Sequence, residues 1–272
     1  MKSFLIFGGL LIGYCLIKDR EKISQFIATL TFKLILPVVV LIEFSSVEIT
    51  KLPLSFAGFI FVVGLFYLGK ILGFSKHQAA LLATAEGGTI GFALFVYLGV
   101  GPITDFLMID MLGNGICLFS FVYYQVSRKS HLKDFIFNPL LVAMFMGLIL
   151  NLLDIKLLSF SVISSVELCL VLTTTFFICV VVGSGIVLSK SYTLFSSSFF
   201  IKFWFIRIIG MIVSIISDLP LPITILFILP PSFLLPLMYD FKSLKHKDYA
   251  SNFIAACLPV CLFLSLLLLA IY

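Results

Sequence analysis

The chain has 272 residues, of which 61% are hydrophobic and only 11% are charged. A soluble domain has roughly 45–50% apolar and about 25% charged residues, so this composition, with a mean hydropathy of +1.23, excludes a globular water-soluble fold. The net charge of +5 is spread over short loops and lacks the clustered basic face of a nucleic-acid-binding protein. We therefore expect the lipid bilayer as the main partner of the chain, and no nucleic acid.

Apolar runs bounded by charged residues, Gly or Pro predict an all-α integral membrane protein with ten transmembrane helices. Because each span needs about 20–22 residues, ten spans leave only short connections and no soluble domain. The first run lacks a small-residue cleavage site, so it is interpreted as a span and not as a signal peptide. The predicted spans are 3–17, 23–43, 52–70, 77–99, 103–126, 135–153, 157–188, 198–217, 220–239 and 249–271.

The basic residues are distributed unevenly between the two sides of the predicted membrane. The loops after the even-numbered spans, with the N-terminus, hold only Lys2, Lys51 and Lys156. Since Lys and Arg favour the cytoplasmic side, the odd-numbered loops are predicted to be cytoplasmic and both termini extracytoplasmic, in a multi-pass protein of the cell (inner) membrane. The basic residues on the cytoplasmic side are Lys18, Arg20, Lys22, Lys70, Lys76, Arg128, Lys129, Lys133, Lys190, Lys202, Lys242, Lys245 and Lys247.

The spans divide at the basic segment 127–133 into two sets of five, over residues 1–127 and 131–272. An odd number of spans makes the second set enter the membrane from the opposite side, which predicts an inverted repeat. Gly87 and Pro230, in spans four and nine, lie 143 residues apart, as do Asp105 and Asp248 after those spans. Chance similarity between two apolar sequences is the alternative interpretation.

Spans four and nine each contain a sequence that interrupts a helix. Span four has Glu86-Gly87-Gly88 at its centre, where Gly weakens the helix and a carboxylate is costly in lipid. Span nine has Pro230-Pro231, which removes two backbone donors and clashes with the preceding turn. Paired interruptions in the two halves are typical of a transporter's binding site, although a simple kink would also explain the prolines.

The ends of interrupted helices suggest what these sequences bind. Free carbonyl groups attract cations, whereas free N–H groups attract anions such as a carboxylate. We hypothesise that Glu86 is the coupling site for H⁺ or Na⁺, with a permanent ion pair to Lys33 or Arg207 as the alternative. The amides of Gly88, Thr89 and Ile90, with Ser232 and Phe233, would then receive an anionic substrate.

Other charged residues are predicted to lie within the membrane. Lys33 and Arg207 fall near the middle of spans two and eight, so each needs a partner or a water-filled cavity. Each could pair with an acidic residue or hold the carboxylate of a substrate. The candidate ion-coupling residues are Glu86, Asp110 and Glu167, and the candidate substrate-binding residues are Gly88, Thr89, Ile90, Asn114, Pro230, Pro231, Ser232, Arg207 and Lys33.

The sequence contains no motif typical of an enzyme. It has no Gly-rich phosphate loop, no HExxH and no suitably spaced Ser, His and Asp set. All six cysteines lie in apolar runs without a CxxC pair, which favours a packing role over metal or disulfide chemistry. We expect no catalytic residue and no cofactor beyond a coupling H⁺ or Na⁺.

Short motifs occur in a characteristic order along nearly the whole chain. They are Leu10-Leu11-Ile12-Gly13-Tyr14, Leu36-Pro37, Asn138-Pro139-Leu140-Leu141, Gly183-Ser184-Gly185 and Pro230-Pro231. In this order the chain resembles the auxin efflux carrier family of permeases, within the superfamily that also holds the bile acid:sodium symporters. The resemblance implies two inverted five-helix repeats, crossing broken helices four and nine, transport of organic anions, a homodimer and an elevator-like movement.

One position departs from the family pattern. Where the family usually has Asn before its Gly-rich break, this chain has Glu86, which favours a cation- or proton-binding step. The run Gly87-Gly88-Thr89 is similar to the bile acid symporter branch, where span four helps to hold Na⁺. A symporter of that type and a membrane receptor that binds a ligand without moving it are therefore the alternatives to a permease. A channel is less favoured because the chain has only scattered Ser and Thr residues.

Overall fold

The structure, a computed structural model, is helical in the part of the chain that it describes, which is residues 8–9, 11–13, 26–27, 29–99, 101–126, 139–185, 197–232, 235 and 244–271. No residue in these ranges lies in a β-strand, so the expectation of an all-α protein is confirmed for them. Several residues used above lie outside the described ranges: Lys2, Leu10, Tyr14, Lys18, Arg20, Lys22, the segment 127–133, Asn138, Lys190, Phe233 and Lys242.

Helical residues fall within each of the ten predicted intervals. The α-helices are α1 (Leu36–Ser45), α2 (Leu54–Ile71), α3 (Lys76–Ala83), α4 (Phe92–Leu98), α5 (Ile103–Leu107), α6 (Tyr123–Val126), α7 (Pro139–Leu152), α8 (Ser161–Gly185), α9 (Ser198–Ile216), α10 (Leu221–Ile228) and α11 (Leu244–Ile271). Wider π-helical turns extend or connect some of them, at Thr31–Ile35, Gly87–Gly91, Met108–Gly115 and Leu118–Val122.

Four described helical stretches are long and apolar enough to cross a membrane: Ile49–Ile71, Ile103–Val126, Ser161–Val180 and Ser198–Ile216. The helices α3, α4 and α10 are individually too short, because spans four and nine are interrupted. The structure thus supports a membrane protein with several apolar helices. The total of ten spans and the inverted repeat stay predictions.

The chain forms two compact units, and neither coincides with a sequence half. The first unit contains Met1–Leu52, Phe95–Leu107 and His131–Ile186, and the second contains Pro53–Leu94, Met108–Ser130 and Val187–Tyr272. Each unit therefore takes segments from both predicted repeats. The compact units are defined by packing, whereas the predicted halves are defined by a sequence repeat. The compact units therefore do not test the predicted halves.

In the first unit, α1 and α7 pack closely around Gly147. A Cβ atom on this glycine would lie 2.7 Å from the carbonyl oxygen of Leu41, so only glycine allows this approach. Further along α7, Asn151 Nδ2 donates to the carbonyl oxygens of Phe44 (3.2 Å) and Val47 (2.6 Å). These bonds satisfy carbonyl groups that the end of α1 leaves without helical partners.

In the second unit, α2 lies directly against the turn Met108–Gly115. A Cβ on Gly58 would overlap the carbonyl oxygen of Ile109, and a Cβ on Gly113 would lie 2.7 Å from the Cα of Gly58. The two backbones are therefore in contact without a side chain between them. This contact fixes the position of Asp110, which lies within the turn.

Aromatic side chains join α9 to α11 in the same unit. The Phe253 ring centroid lies 4.9 Å from that of Phe199 and 5.2 Å from that of Phe203. Ring pairs at these separations contribute about 0.5–1.5 kcal/mol beyond their buried area. Arg207 follows Phe203 by about one helical turn, so this packing also fixes the backbone position of Arg207.

Candidate functional site

Both predicted interruptions are present in the structure. In span four, α3 ends at Ala83, Thr84 is extended (φ −94°, ψ 149°) and helical structure resumes at Gly87. In span nine, α10 ends at Ile228 and Leu229 is extended (φ −72°, ψ 148°). Leu229 precedes a proline, and the proline ring disfavours helical geometry at the residue before it. The local rules therefore predicted that both spans are interrupted, although the break in span four lies at 84–86 and both glycines belong to the helical segment that follows.

The two interruptions are hydrogen bonded to each other within the second unit. The backbone N–H of Glu86 donates to the carbonyl oxygen of Pro230 at 2.9 Å. The N–H of Ser232 donates to Thr84 Oγ1 at 3.4 Å, and this hydroxyl donates to the carbonyl oxygen of Ala80 at 3.0 Å. Residues 84–86 and 230–232 thus lie side by side, and we call this pair of segments the crossing.

Arg207 connects the carbonyl ends of the two interrupted helices. Its NH1 donates to the carbonyl oxygen of Leu226 and its NH2 to that of Thr84, both at 2.6 Å. The side chain is 0% exposed, and the Phe61 and Phe203 rings lie 5.0 and 5.3 Å from its central carbon. The sequence suggested an acidic partner or a substrate carboxylate for this residue, whereas these contacts are to backbone oxygens.

Asp110, Asn114 and Glu86 lie close together beside the crossing. Asn114 Nδ2 donates to Asp110 Oδ1 at 2.8 Å and to the carbonyl oxygen of Ala85 at 3.0 Å. The carboxyl groups of Asp110 and Glu86 are near enough to interact electrostatically, and the residues are only 5% and 7% exposed. We call Glu86, Asp110 and Asn114 the carboxyl cluster. The sequence indicated each of these residues as a separate candidate, and the structure places them next to each other.

The two glycines after Glu86 have different surroundings. A Cβ on Gly87 would overlap the carboxyl group of Asp110, so this position is filled by the carboxyl cluster. A Cβ on Gly88 would have no atom of the described residues within 4 Å, so the space beside Gly88 is open to that extent. Helical structure starts at Gly87, and the first N–H groups of a helix have no partner within it. The open space therefore lies next to the backbone donors of this helix. In the other segment of the crossing, the N–H of Ser232 already donates to Thr84 Oγ1.

Two predicted site residues belong to the first unit and not to the unit of the crossing. Lys33 is exposed. Glu167 is buried on α8, where its carboxyl group lies close to that of Glu43 on α1. The sequence analysis missed Glu43, because a carboxylate at the predicted end of span two resembles an ordinary interfacial residue. The residues that follow it, Phe44, Ser45 and Ser46, did not indicate that Glu43 is buried.

No protein-family model matches the chain, and no curated protein matches it in sequence. In the described ranges, no group of three or more His, Cys, Asp or Glu side chains is placed to hold a metal ion. The chemical groups at the crossing are carboxyl groups, a guanidinium group, an amide and backbone dipoles.

Proposed function

We propose that this chain is a secondary active transporter that moves a small organic anion, a carboxylate, across the cell (inner) membrane and couples that movement to H⁺ or Na⁺ through Glu86. The observation that carries this proposal is the hydrogen bond between Glu86 and Pro230, which brings two interrupted apolar helices together beside a buried carboxyl group. Irregular backbone inside apolar helices is tolerated where it lines a binding cavity, and transporters use such breaks to hold substrates and ions.

The proposed anion site is the start of the helical segment after the break. The backbone of Gly88, Thr89 and Ile90 belongs to the first turn from Gly87, and helix starts favour negative charge. The open space beside Gly88 gives a carboxylate room to approach these donors. Pro230, Pro231 and Ser232 would form the opposite side of this site.

The proposed coupling site is the carboxyl cluster. A buried carboxyl group is stable when it is protonated or paired, and becomes costly when it is ionised without a partner. Glu86 and Asp110 are close to each other, so the ionised form of one opposes ionisation of the other. Binding and release of a cation here would alter the charge beside the proposed anion site, which is a direct physical basis for coupling.

The resemblance to the auxin efflux carrier family adds a homodimer and an elevator-like movement to the proposal. The division of the chain into two compact units, each with segments from both sequence halves, is compatible with one unit moving as a body. The crossing, Arg207 and the carboxyl cluster all belong to the second unit, so this unit would be the one that carries the substrate.

Uptake into proteoliposomes tests this function. The purified chain is supplied with labelled mono- and dicarboxylates under a pH gradient and, separately, under a Na⁺ gradient. We expect gradient-driven uptake of at least one anion. Uptake by Glu86→Gln should no longer respond to that gradient, whereas Glu48→Gln, the same substitution at an exposed position, should behave like the wild type.

Two results would contradict the proposal. A Glu86→Gln protein that keeps its full response to the gradient would exclude Glu86 as the coupling residue. Binding of an anion without uptake under either gradient would favour a receptor over a transporter.

A further inference from the structure

Arg207 occupies the place where the carbonyl ends of the two interrupted helices meet. Thr84 directly follows α3, and Leu226 lies in the last turn of α10. The carbonyl end of a helix carries partial negative charge, and transporters with interrupted helices bind metal cations at such ends. In this chain both carbonyl oxygens accept a hydrogen bond from the same guanidinium group at 2.6 Å.

We infer that Arg207 is a built-in replacement for a metal cation at the crossing, and that the coupling ion of this transporter is therefore H⁺ and not Na⁺. This inference rests on the proposed function and specifies its coupling ion. A guanidinium group stays protonated in proteins, so its charge at this place is permanent. Because it is covalently attached, it cannot be released on one side of the membrane and so cannot itself carry the coupling.

The next carbonyl group of the break also accepts a hydrogen bond. Asn114 Nδ2 donates to the carbonyl oxygen of Ala85, the residue that follows Thr84. Two successive carbonyl oxygens are therefore occupied by N–H donors from α9 and from the turn Met108–Gly115. A Na⁺ ion would have to displace both donors and leave a buried guanidinium group without partners, which is strongly unfavourable.

The charges around the crossing favour a proton on the carboxyl cluster. Arg207 supplies one positive charge, and Glu86 with Asp110 supplies two negative charges when both are ionised. The thiol groups of Cys257 and Cys261, on α11, lie near the guanidinium group, and a thiol carries no charge at neutral pH unless its pKa is lowered. One proton on the cluster makes this set electrically neutral, as burial favours. When a carboxylate binds beside Gly88, a second proton restores neutrality, so anion and proton bind together.

Thermal unfolding of the purified protein with Na⁺ tests the inference independently of uptake. The wild type is compared in NaCl and in choline chloride at equal concentration, and we expect the same Tm in both. Arg207→Gln frees the carbonyl oxygens of Thr84 and Leu226, so we expect NaCl to raise its Tm by roughly 5 °C, the effect of a ligand at about a hundred times its dissociation constant. Arg207→Lys keeps the positive charge and should show no rise.

A Na⁺-specific rise in the Tm of the wild type would overturn the inference. Arg207→Gln removes two buried hydrogen bonds and can fail to fold. The Tm of the wild type in NaCl and in choline chloride tests the inference without this variant. If the variant folds and does not respond to Na⁺, the carbonyl ends are not a cation position and the inference is also wrong. Uptake that follows a Na⁺ gradient and not a pH gradient would reject the inference but keep the proposed transporter.

Discussion

The carbonyl oxygen of Pro230 accepts a hydrogen bond from the backbone N–H of Glu86, at 2.9 Å. The two groups can form this bond because each belongs to an interrupted helix. An uninterrupted helix would use the N–H of residue 86 and the carbonyl of residue 230 within itself. The crossing therefore depends on both breaks at once.

Restoring the helix in span nine should abolish transport. In the double variant Pro230→Ala, Pro231→Ala, both residues regain an N–H and lose the ring that blocks the preceding turn, so α10 can continue past Leu229. We expect uptake to fall at least tenfold at equal amounts of protein in the membrane. Pro222→Ala, at the first turn of α10, is the matched control and should keep uptake, because proline is tolerated there.

Alanine should destabilise the protein at Gly87 but not at the adjacent Gly88. Gly87→Ala places a methyl group on the Asp110 carboxyl, and overpacking of this kind costs about 1–3 kcal/mol. Gly88→Ala projects into open space and should unfold at the wild-type temperature, but its methyl group should raise the KM for the anion. Thermal unfolding and uptake kinetics measure the two effects. A normal KM for Gly88→Ala would contradict the proposed place of the substrate.

Glu167 should be dispensable for coupling. The carboxyl groups of Glu167 and Glu43 lie close together and are buried, and two ionised carboxylates in such a place repel each other, so a proton on one of them stabilises the pair. The amide in Glu167→Gln can donate to Glu43 in place of that proton, so we expect a folded protein whose uptake keeps its pH dependence. Glu167→Ala leaves Glu43 buried without its partner and should cost about 1–3 kcal/mol of stability. Loss of pH dependence in Glu167→Gln would move the coupling site to this pair.

The predicted orientation can be measured by labelling cysteines in whole cells. A cysteine at Glu48, close to Lys51, should react with a membrane-impermeant maleimide added outside, because the loop after span two is predicted to be extracytoplasmic. A cysteine at Lys129 should react only after the cells are opened. The unsubstituted chain provides the background from its own cysteines. The opposite labelling pattern would reverse the topology.

The sequence was sufficient to predict the breaks because their causes are local. Two consecutive prolines disfavour a helix whatever surrounds them, and two glycines weaken one, although in span four the glycines begin the second helical segment and the break lies directly before them. The start of α3 also has a local cause, because the Ser75 hydroxyl accepts from the N–H of Gln78 and caps the helix. Features of this kind need no knowledge of the tertiary structure.

The partners of the buried charges could not be predicted in this way. Arg207 and Thr84 are 123 residues apart, and the group that Arg207 binds is a backbone carbonyl, which every residue possesses. Pairing by opposite side-chain charge was thus the wrong guide to its contacts. Glu43 and Glu167 show the same limit, because nothing in the sequence indicates that these two carboxyl groups lie close together in the fold.

The glycine contact between α2 and the turn Met108–Gly115 has a mechanical consequence. Since no side chain separates the two backbones at Gly58 and Gly113, one cannot slide past the other without steric overlap. Helix α2 and Asp110 must therefore be displaced together, as one rigid body. The exposed side of α2, at Ile60, is then the natural position for a spectroscopic label, because its displacement would report the displacement of Asp110 during a transport cycle.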